Sequence, residues 1–236
     1  FPYNDFESLY KIVKSKNIGV IKMEVSRFDK PKKGFLESIR KLANKNNIVL
    51  VFDECTSGFR QTYGGLHKIY GVEPDIAMFG KALGNGYAIT AVVGKTVIMD
   101  YAQDTFISST FWTERIGFLA GIRTLEVMKK IKSWRKIIDS GRYLSNKIDK
   151  LAQKYDLKLN IGGIESITYF SFNSKDNLKY KTFLTQEMLK KGFLASNITY
   201  LTIHHSKKII DKYIENLDPI FAKIKLFEEK KEIVSK

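Results

Sequence analysis

Residues 48–86, IVLVFDECTSGFRQTYGGLHKIYGVEPDIAMFGKALGNG, decide which fold this chain can adopt. The apolar run at 48–52 is rich in β-branched side chains and stops at Asp53, which predicts a buried strand with a carboxylate at its end. A second short strand is predicted at 75–79, just before Lys81. Half of the 16 glycines lie between residues 56 and 94, where a backbone without side chains can approach a ligand closely.

The residues before this stretch predict a parallel sheet. Apolar side chains at helical spacing indicate a helix at 5–16, a buried strand is predicted at 18–25, and a second helix at 34–44. A helix between two buried strands at such short intervals predicts a βαβ crossover, whose parallel strands are covered on both faces. Ligands of such sheets bind beyond the carboxyl ends of the strands, which is where Asp53 lies.

The pattern changes in the second half of the chain. One long helix is predicted at 114–138, with an apolar face, and the elements after it are typical of an α+β domain. They comprise helices at 143–155, 183–191 and from 207 onward, and strands at 157–161, 166–172 and 200–203. We therefore expect an α/β fold in two domains, a larger one with a mainly parallel sheet at 1–125 and a smaller α+β domain at 126–236.

Composition and charge exclude several kinds of protein. The 236 residues are 44% hydrophobic, which is ample for a packed core, and no run of 18 apolar residues predicts a transmembrane helix. A single Cys excludes an intramolecular disulfide and favours a cytoplasmic location. The net charge of +15 comes from 33 Lys and only seven Arg, dispersed along the chain. This distribution favours solvated lysine-rich faces and disfavours a nucleic-acid partner.

Three positions have the chemistry of one cofactor site. Lys81 lies between Gly80 and Gly84, and an amine partly desolvated in such a loop becomes a nucleophile for carbonyls. Asp53, at a neighbouring strand end, can hold a proton on a heteroaromatic nitrogen. A hydroxyl before the long helix, in Ser108-Ser109-Thr110, can bind a phosphate. Together these groups predict a site for pyridoxal 5'-phosphate.

The order of motifs from residue 51 to residue 95 resembles the class-III aminotransferases of fold type I, most closely those like glutamate-1-semialdehyde aminomutase. The family's motifs FDE, GFR, PD and GK follow one another here in the same order, with 81 − 53 = 28 positions from the Asp to the Lys. Tyr3-Asn4-Asp5 and Met23-Glu24-Val25 are similar to two further motifs of the family. The resemblance implies the pyridoxal-phosphate transferase fold, of which this chain would hold part of the large domain and the small domain.

The resemblance also implies residue roles. Lys81 would form the Schiff base with the cofactor and then serve as acid–base catalyst, and Asp53 would stay ionised against the pyridine nitrogen. Cys55 matches an aliphatic residue packed on the ring, and Thr110 would bind the cofactor phosphate of the neighbouring subunit, so that a homodimer shares its active sites. From the residues alone other interpretations stay open: Asp53 as a turn cap, Cys55 as a small core residue, and Thr110 as a helix N-cap.

The three histidines have no metal-ligand spacing with carboxylates or Cys55, and no metal site is predicted. They are expected in loops or where helices begin, at His67, His204 and His205.

The departures from the family pattern concern completeness and substrate. The family's phosphate-binding turn and stacking aromatic residue precede the motif at Tyr3, which predicts a piece of a longer protein, or a split or decayed enzyme. No Arg follows Arg142, which disfavours substrates gripped through an α-carboxylate. The variant SSTFWTE at 108–114 resembles the branch that acts on modified sugars, so a small-molecule amino donor and a keto-sugar or similar carbonyl acceptor of surface-polysaccharide biosynthesis are expected. The competing hypothesis is an inactive remnant or a polyanion-binding module.

Overall fold

A computed structural model describes residues 1–26, 28–108, 110–111 and 113–230. The chain divides into two compact units, Phe1–Trp134 and Arg135–Lys236. The boundary expected from the sequence, after residue 125, lies inside a helix of the first unit, which spans Arg115–Ile131. Each unit is therefore described by itself.

The first unit is built on a four-stranded sheet in the order β1-β2-β3-β4. β1, β2 and β3 are parallel, and β4 runs antiparallel to β3. The strands are β1 (Val20–Glu24), β2 (Val49–Asp53), β3 (Ile76–Phe79) and β4 (Ala91–Gly94). The helices are α1 (Phe6–Ser15), α2 (Phe35–Lys45), α3 (His67–Tyr70), α4 (Thr96–Met99) and α5 (Arg115–Ile131), with a 3₁₀ helix at Asp100–Asp104. The predicted α/β fold with a mainly parallel sheet is confirmed.

Local chemistry explains the crossover from β1 to β2. Asp5 is the N-cap of α1, because its carboxylate accepts a hydrogen bond from the Ser8 N–H at 3.0 Å. α2 follows Gly34, whose φ of +82° favours glycine, and it turns Ile39 and its other apolar side chains inward. Leu50 and Phe52 of β2 have no exposed surface, so the strand is covered as a buried parallel strand should be.

The parallel strands bring three chain segments to one edge of the sheet. Glu24, the last residue of β1, is paired with Asp53, which in turn is paired with Met78 of β3. The segment that follows β2 and the segment that carries Lys81 after β3 therefore start side by side. This is the edge at which open α/β sheets bind ligands.

The length predicted for the helix at 114–138 is wrong. α5 ends at Ile131, Lys132 adopts a left-handed conformation with a φ of +50°, and α6 then runs over Ser133–Lys154, taking in the helix predicted at 143–155. Periodicity alone cannot reveal this break, because both helices keep helical spacing on either side of one residue.

The apolar face predicted for α5 is mostly exposed within the described residues. Ile116, Leu119 and Ile122 are 55–57% exposed. The helix packs instead through its small residues: a Cβ on Gly117 would lie 3.3 Å from the Ile89 Cβ, and one on Gly121 would lie 3.9 Å from the Leu83 side chain. α5 thereby supports the glycine-rich segment that follows Lys81.

The second unit is an α+β structure with an antiparallel sheet in the order β5-β6-β7. Its elements are most of α6, then β5 (Leu159–Ile164), β6 (Ile167–Phe172), α7 (Asn177–Lys190), β7 (Ile198–Tyr200) and α8 (Lys207–Glu228). Its core is aromatic, with the Phe172 and Phe221 ring centroids 5.5 Å apart. Among the described residues, no helix combines the length and apolar character needed to cross a membrane.

Candidate active site

Lys81 lies in the loop two residues beyond the end of β3 and has a φ of +41°, unusual for a side chain with a Cβ. Its ammonium donates a hydrogen bond to the Thr56 hydroxyl, with Nζ and Oγ1 2.6 Å apart. Lys81 is exposed in the first unit, and the desolvation of its amine stays a prediction. Its loop lies on the surface of the first unit, with Asn85 and Gly86 exposed as well.

Asp53 ends β2 with its side chain one quarter exposed. Its Oδ2 lies 3.0 Å from the Lys22 Nζ of β1, and its Oδ1 accepts a hydrogen bond from the Cys55 N–H at 3.2 Å. Burial alone would raise the pKa of the Asp53 carboxyl, but the Lys22 ammonium and the Cys55 N–H outweigh it and lower that pKa below its usual range. Asp53 is therefore an ionised carboxylate at neutral pH.

Cys55 lies between Asp53 and the loop that carries Lys81. A Cβ built on Gly80 would be 3.5 Å from the Cys55 Sγ, so the thiol borders the start of that loop. Burial first, and the Asp53 charge second, raise the pKa of the Cys55 thiol, which is half-buried. The structure thus brings Asp53, Cys55 and Lys81 together, and it adds Thr56.

Sequence reasoning missed Thr56 and the buried Glu54. Thr56 is buried, and it is the described partner of the Lys81 amine. The one available signal for Glu54 was its place directly after Asp53 at the end of a buried strand. No signal marked Thr56, because its importance depends on a contact across 25 positions of the chain.

Thr110 is exposed in the turn before α5. It is not the N-cap of that helix, since the N-cap is Glu114, which makes no capping hydrogen bond through its side chain. Ser109 and Trp112 of the SSTFWTE motif lie outside the described residues. The role of Thr110 in binding phosphate stays a prediction.

The histidines lie where helices begin. His67 starts α3, and His204 and His205 lie in the turn before α8, where the His205 Nδ1 accepts a hydrogen bond from the Thr202 N–H at 2.9 Å. Among the residues that the structure describes, no group of three or more His, Cys, Asp or Glu side chains could hold a metal.

The donor set at this edge fits an aldehyde-bearing pyridine. A primary amine can attach the aldehyde carbon, and an ionised carboxylate can hold a protonated ring nitrogen. Both groups are on adjacent segments: Thr56, three residues after Asp53, touches the amine of Lys81. The fold and the residues at this edge therefore fit a protein that binds pyridoxal phosphate.

The comparisons with known proteins make the family explicit. A family model named aminotransferase class-III matches residues 28–216, and the chain belongs to this family, whose cofactor is pyridoxal phosphate. The chain is 33% identical over 214 residues to 3-aminobutyryl-CoA aminotransferase of Cloacimonas acidaminovorans (strain Evry), a match covering 87% of this chain and 51% of the relative. It is 29% identical over 208 residues to glutamate-1-semialdehyde 2,1-aminomutase of Methanocaldococcus jannaschii, covering 81% and 49%.

Solved structures agree on the fold. The PLP internal aldimine form of FumI from Sphingopyxis sp. MTA144 superposes with a TM-score of 0.91 at 23% identity, covering 99% of this chain and 58% of that one. The β-phenylalanine aminotransferase of Variovorax paradoxus superposes with a TM-score of 0.82 at 20% identity, covering 94% and 57%. The chain spans about half the length of the curated relatives it matches.

Proposed function

We propose that this chain carries the catalytic lysine of a pyridoxal-phosphate-dependent amino-group transfer, and that this lysine is Lys81. The observation that carries the proposal is the joint placement of an amine and an ionised carboxylate at one sheet edge, linked through the short segment from Asp53 to Thr56. When bound, the cofactor supplies an electron sink for the carbon that exchanges its amino group.

The side chains of the site have separate tasks. Asp53 is kept anionic by Lys22 and the Cys55 N–H, and it would hold a proton on the ring nitrogen of the cofactor. The Lys81 amine would hold the cofactor by its carbonyl carbon, and the same amine would serve as the acid–base catalyst that moves a proton. Thr56 orients that amine through its hydroxyl. Cys55 would lie against one face of the ring.

The proposed substrates are a small-molecule amino donor and a carbonyl acceptor. Recognition of the acceptor would not depend on a contact between an α-carboxylate and an arginine of the C-terminal domain. The absence of Arg after Arg142 in the sequence supports this, since a two-pronged carboxylate contact needs a guanidinium. The relative named 3-aminobutyryl-CoA aminotransferase acts, by its name, on a molecule with an amino group at C3 and a CoA thioester in place of a free carboxylate. The SSTFWTE motif supports a keto-sugar as the acceptor.

We also propose that two copies share their active sites, with Thr110 of one copy binding the cofactor phosphate of the other. The surroundings of Thr110 support an interface, because Phe106 is 96% and Phe111 is 68% exposed. Sedimentation of the natural protein should give a dimer, and Phe106→Ser should weaken it. A monomer over the whole concentration range would contradict the proposal.

The functional test uses the protein isolated from its own cells with any polypeptide that copurifies. With pyridoxal phosphate, amino donors and keto-sugars, mass spectrometry should detect the aminated acceptor. Lys81→Ala should lower the rate at least about 100-fold, because proton transfer is lost along with cofactor attachment. The matched control is Lys45→Ala, at the exposed end of α2, which should leave the rate unchanged. Full activity of Lys81→Ala would overturn the proposal.

The alternative, an inactive remnant or polyanion-binding module, is favoured only by the net charge of +15. It predicts binding to nucleic acid that weakens steeply with salt and no dependence on Lys81.

A further inference from the structure

Glu54 is a carboxylate with no exposed surface, and it lies directly beside Asp53. Its Oε1 accepts a hydrogen bond from the His67 backbone N–H at 2.9 Å and lies 2.9 Å from the His67 Nδ1. Its Oε2 accepts a hydrogen bond from the Ser57 hydroxyl at 2.5 Å. Its backbone is bound as well, since the N–H donates to the Met78 carbonyl and the carbonyl accepts from the Gly58 N–H.

These contacts keep the Glu54 carboxylate ionised and show which ring nitrogen of His67 carries a hydrogen. Burial would raise the pKa of Glu54, but the hydrogen bonds from His67 and Ser57 outweigh it and lower that pKa. Because an anionic oxygen only accepts, the His67 Nδ1 must carry a hydrogen. The other ring nitrogen, Nε2, lies 3.5 Å from the exposed Glu73 carboxylate. The imidazole is thus held between a buried acid and an exposed one, with its side chain 6% exposed.

The backbone around this pair is shaped to admit it. A Cβ on Gly65 would lie 2.3 Å from the His67 Cε1, 2.4 Å from its Nδ1 and 2.9 Å from the Glu54 Oε1. Only a glycine at position 65 therefore lets the imidazole lie against the carboxylate. The colliding atoms all belong to the two side chains, so an alanine here would disturb the pair while leaving its polar groups in the chain.

The turn after β2 contains two kinds of residue: some have side chains buried in the interior, and their neighbours belong to the candidate site. Glu54 and Ser57 are anchored in the interior. The residues next to them belong to the candidate site: Asp53, Cys55 and Thr56, of which Thr56 holds the Lys81 amine. Any displacement of the anchored pair would therefore move the carboxylate and the hydroxyl that the site uses.

We infer that Glu54 and His67 are positioning residues: their buried pair fixes the turn after β2 so that Asp53 and Thr56 keep their places beside Lys81. The catalytic meaning of this inference rests on the proposed function, but the positioning itself can be measured without cofactor. Cys55 is the only cysteine of the chain and its N–H binds Asp53, so its alkylation by iodoacetamide reports on this turn alone.

The experiment compares alkylation rates of the full chain at one pH. His67→Phe keeps an aromatic ring but removes the Nδ1 donor, and Gly65→Ala pushes the ring off the carboxylate. Both should raise the rate at Cys55 about fivefold or more, because local opening of the turn exposes the half-buried thiol. His67→Asn keeps an N–H donor at the position of Nδ1 and should restore a rate near that of the original chain.

The matched control is Arg40→Gln. It breaks another ion pair of the first unit, between Arg40 of α2 and Asp75 at 2.8 Å. This pair lies at the opposite end of β2, where the Asp75 carboxylate accepts a hydrogen bond from the Leu50 N–H. It should lower the melting temperature but leave the Cys55 rate within about twofold.

Two results would overturn the inference. One is an unchanged Cys55 rate in both His67→Phe and Gly65→Ala. The other is an equal rise of the Cys55 alkylation rate in Arg40→Gln and His67→Phe when both variants lose the same amount of melting temperature. The Glu54–His67 pair would then only stabilise the fold. Failure of the proposed function gives a different result. The Cys55 alkylation rate would still rise in His67→Phe and Gly65→Ala, but treatment with pyridoxal phosphate and borohydride would leave Lys81 unlabelled.

Discussion

Asp53 and Lys22 show how one contact sets the charge of the site. Their ion pair at 3.0 Å is the largest of the effects that lower the pKa of Asp53. Lys22→Met should therefore raise that pKa, and Asp53 should gain its proton at a higher pH than in the original chain. A titration of the Asp53 carboxyl carbon by NMR measures this directly.

Lys95→Met supplies the control for that titration. Lys95 pairs with Asp75 at 2.7 Å and is as exposed as Lys22, but Asp75 lies at the other end of the strands. Its loss should leave the pKa of Asp53 where it was. An equal rise in both variants would mean that net charge, and not the contact with Lys22, controls the carboxylate.

The residues that sequence could predict are those with a fixed place in the chain. Asp53 and Lys81 could be predicted to share one edge of the sheet, because each follows a predicted strand and parallel strands end at the same edge. Glu54, Thr56 and His67 were not found, because their roles come from contacts across 13 and 25 positions. Nor could the sequence show that Lys81 is exposed in the first unit, since exposure depends on what packs above a loop.

Asp75 connects three elements of the first unit and governs how its stability responds to acid. Its carboxylate accepts from the Leu50 N–H at 2.8 Å and pairs with Arg40 of α2 and Lys95 beyond β4. Burial would raise the pKa of Asp75, but these partners lower it. Its contribution to stability is therefore complete above the ordinary carboxyl pKa and is lost as pH falls through the lowered one.

Asp75→Asn should accordingly cost about 2–3 kcal/mol of unfolding free energy at neutral pH, because it leaves the half-buried Arg40 charge without its carboxylate. The difference between the variant and the original chain should begin to shrink as pH falls below about 4, where the carboxyl of the unfolded chain takes up its proton. It should be lost once the pH has fallen through the lowered pKa of the folded carboxylate. Urea denaturation across this pH range measures it. A difference that stays constant with pH would contradict the role given to this carboxylate.

The break between α5 and α6 depends on one residue in an unfavourable conformation. Lys132 has a φ of +50°, which strains a residue with a Cβ, so Lys132→Gly should stabilise the chain by about 0.5 kcal/mol after allowing for the freer unfolded state. Lys130→Gly, inside the last turn of α5, should instead destabilise it by about 1 kcal/mol. Denaturant unfolding of both variants tests the sign, and a loss in both would contradict the account of the break.

The predicted bounds of helices and strands were accurate where buried side chains set the apolar pattern. They were wrong where the dihedral angle of a single residue ends a helix. The predicted bounds of β2 agree with the structure within one residue, because four of the five residues of its apolar run are buried. The helices around Lys132 were not separated, since nothing in the residue type Lys indicates a left-handed turn. The apolar side chains of α5 were found, but their exposure was not, because a sequence does not say which surfaces the rest of a fold will cover.

For the whole molecule, the dispersed lysines should give only weak, salt-sensitive binding to polyanions. Fluorescence anisotropy with a labelled duplex should show binding at low salt that is lost near 0.2 M, roughly as counterion release requires. Tight binding that persists at about 0.15 M salt would favour the polyanion-binding alternative.

The 33 lysines also make the central claim testable in a single measurement. The natural protein, with any polypeptide that copurifies, is treated with limiting pyridoxal phosphate and reduced with borohydride, and its peptides are mapped by mass spectrometry. We expect one pyridoxyl group per chain on Lys81, and we expect this label to be lost in Lys81→Ala without appearing on another lysine. A label spread over exposed lysines, or fixed on a lysine other than Lys81, would contradict it.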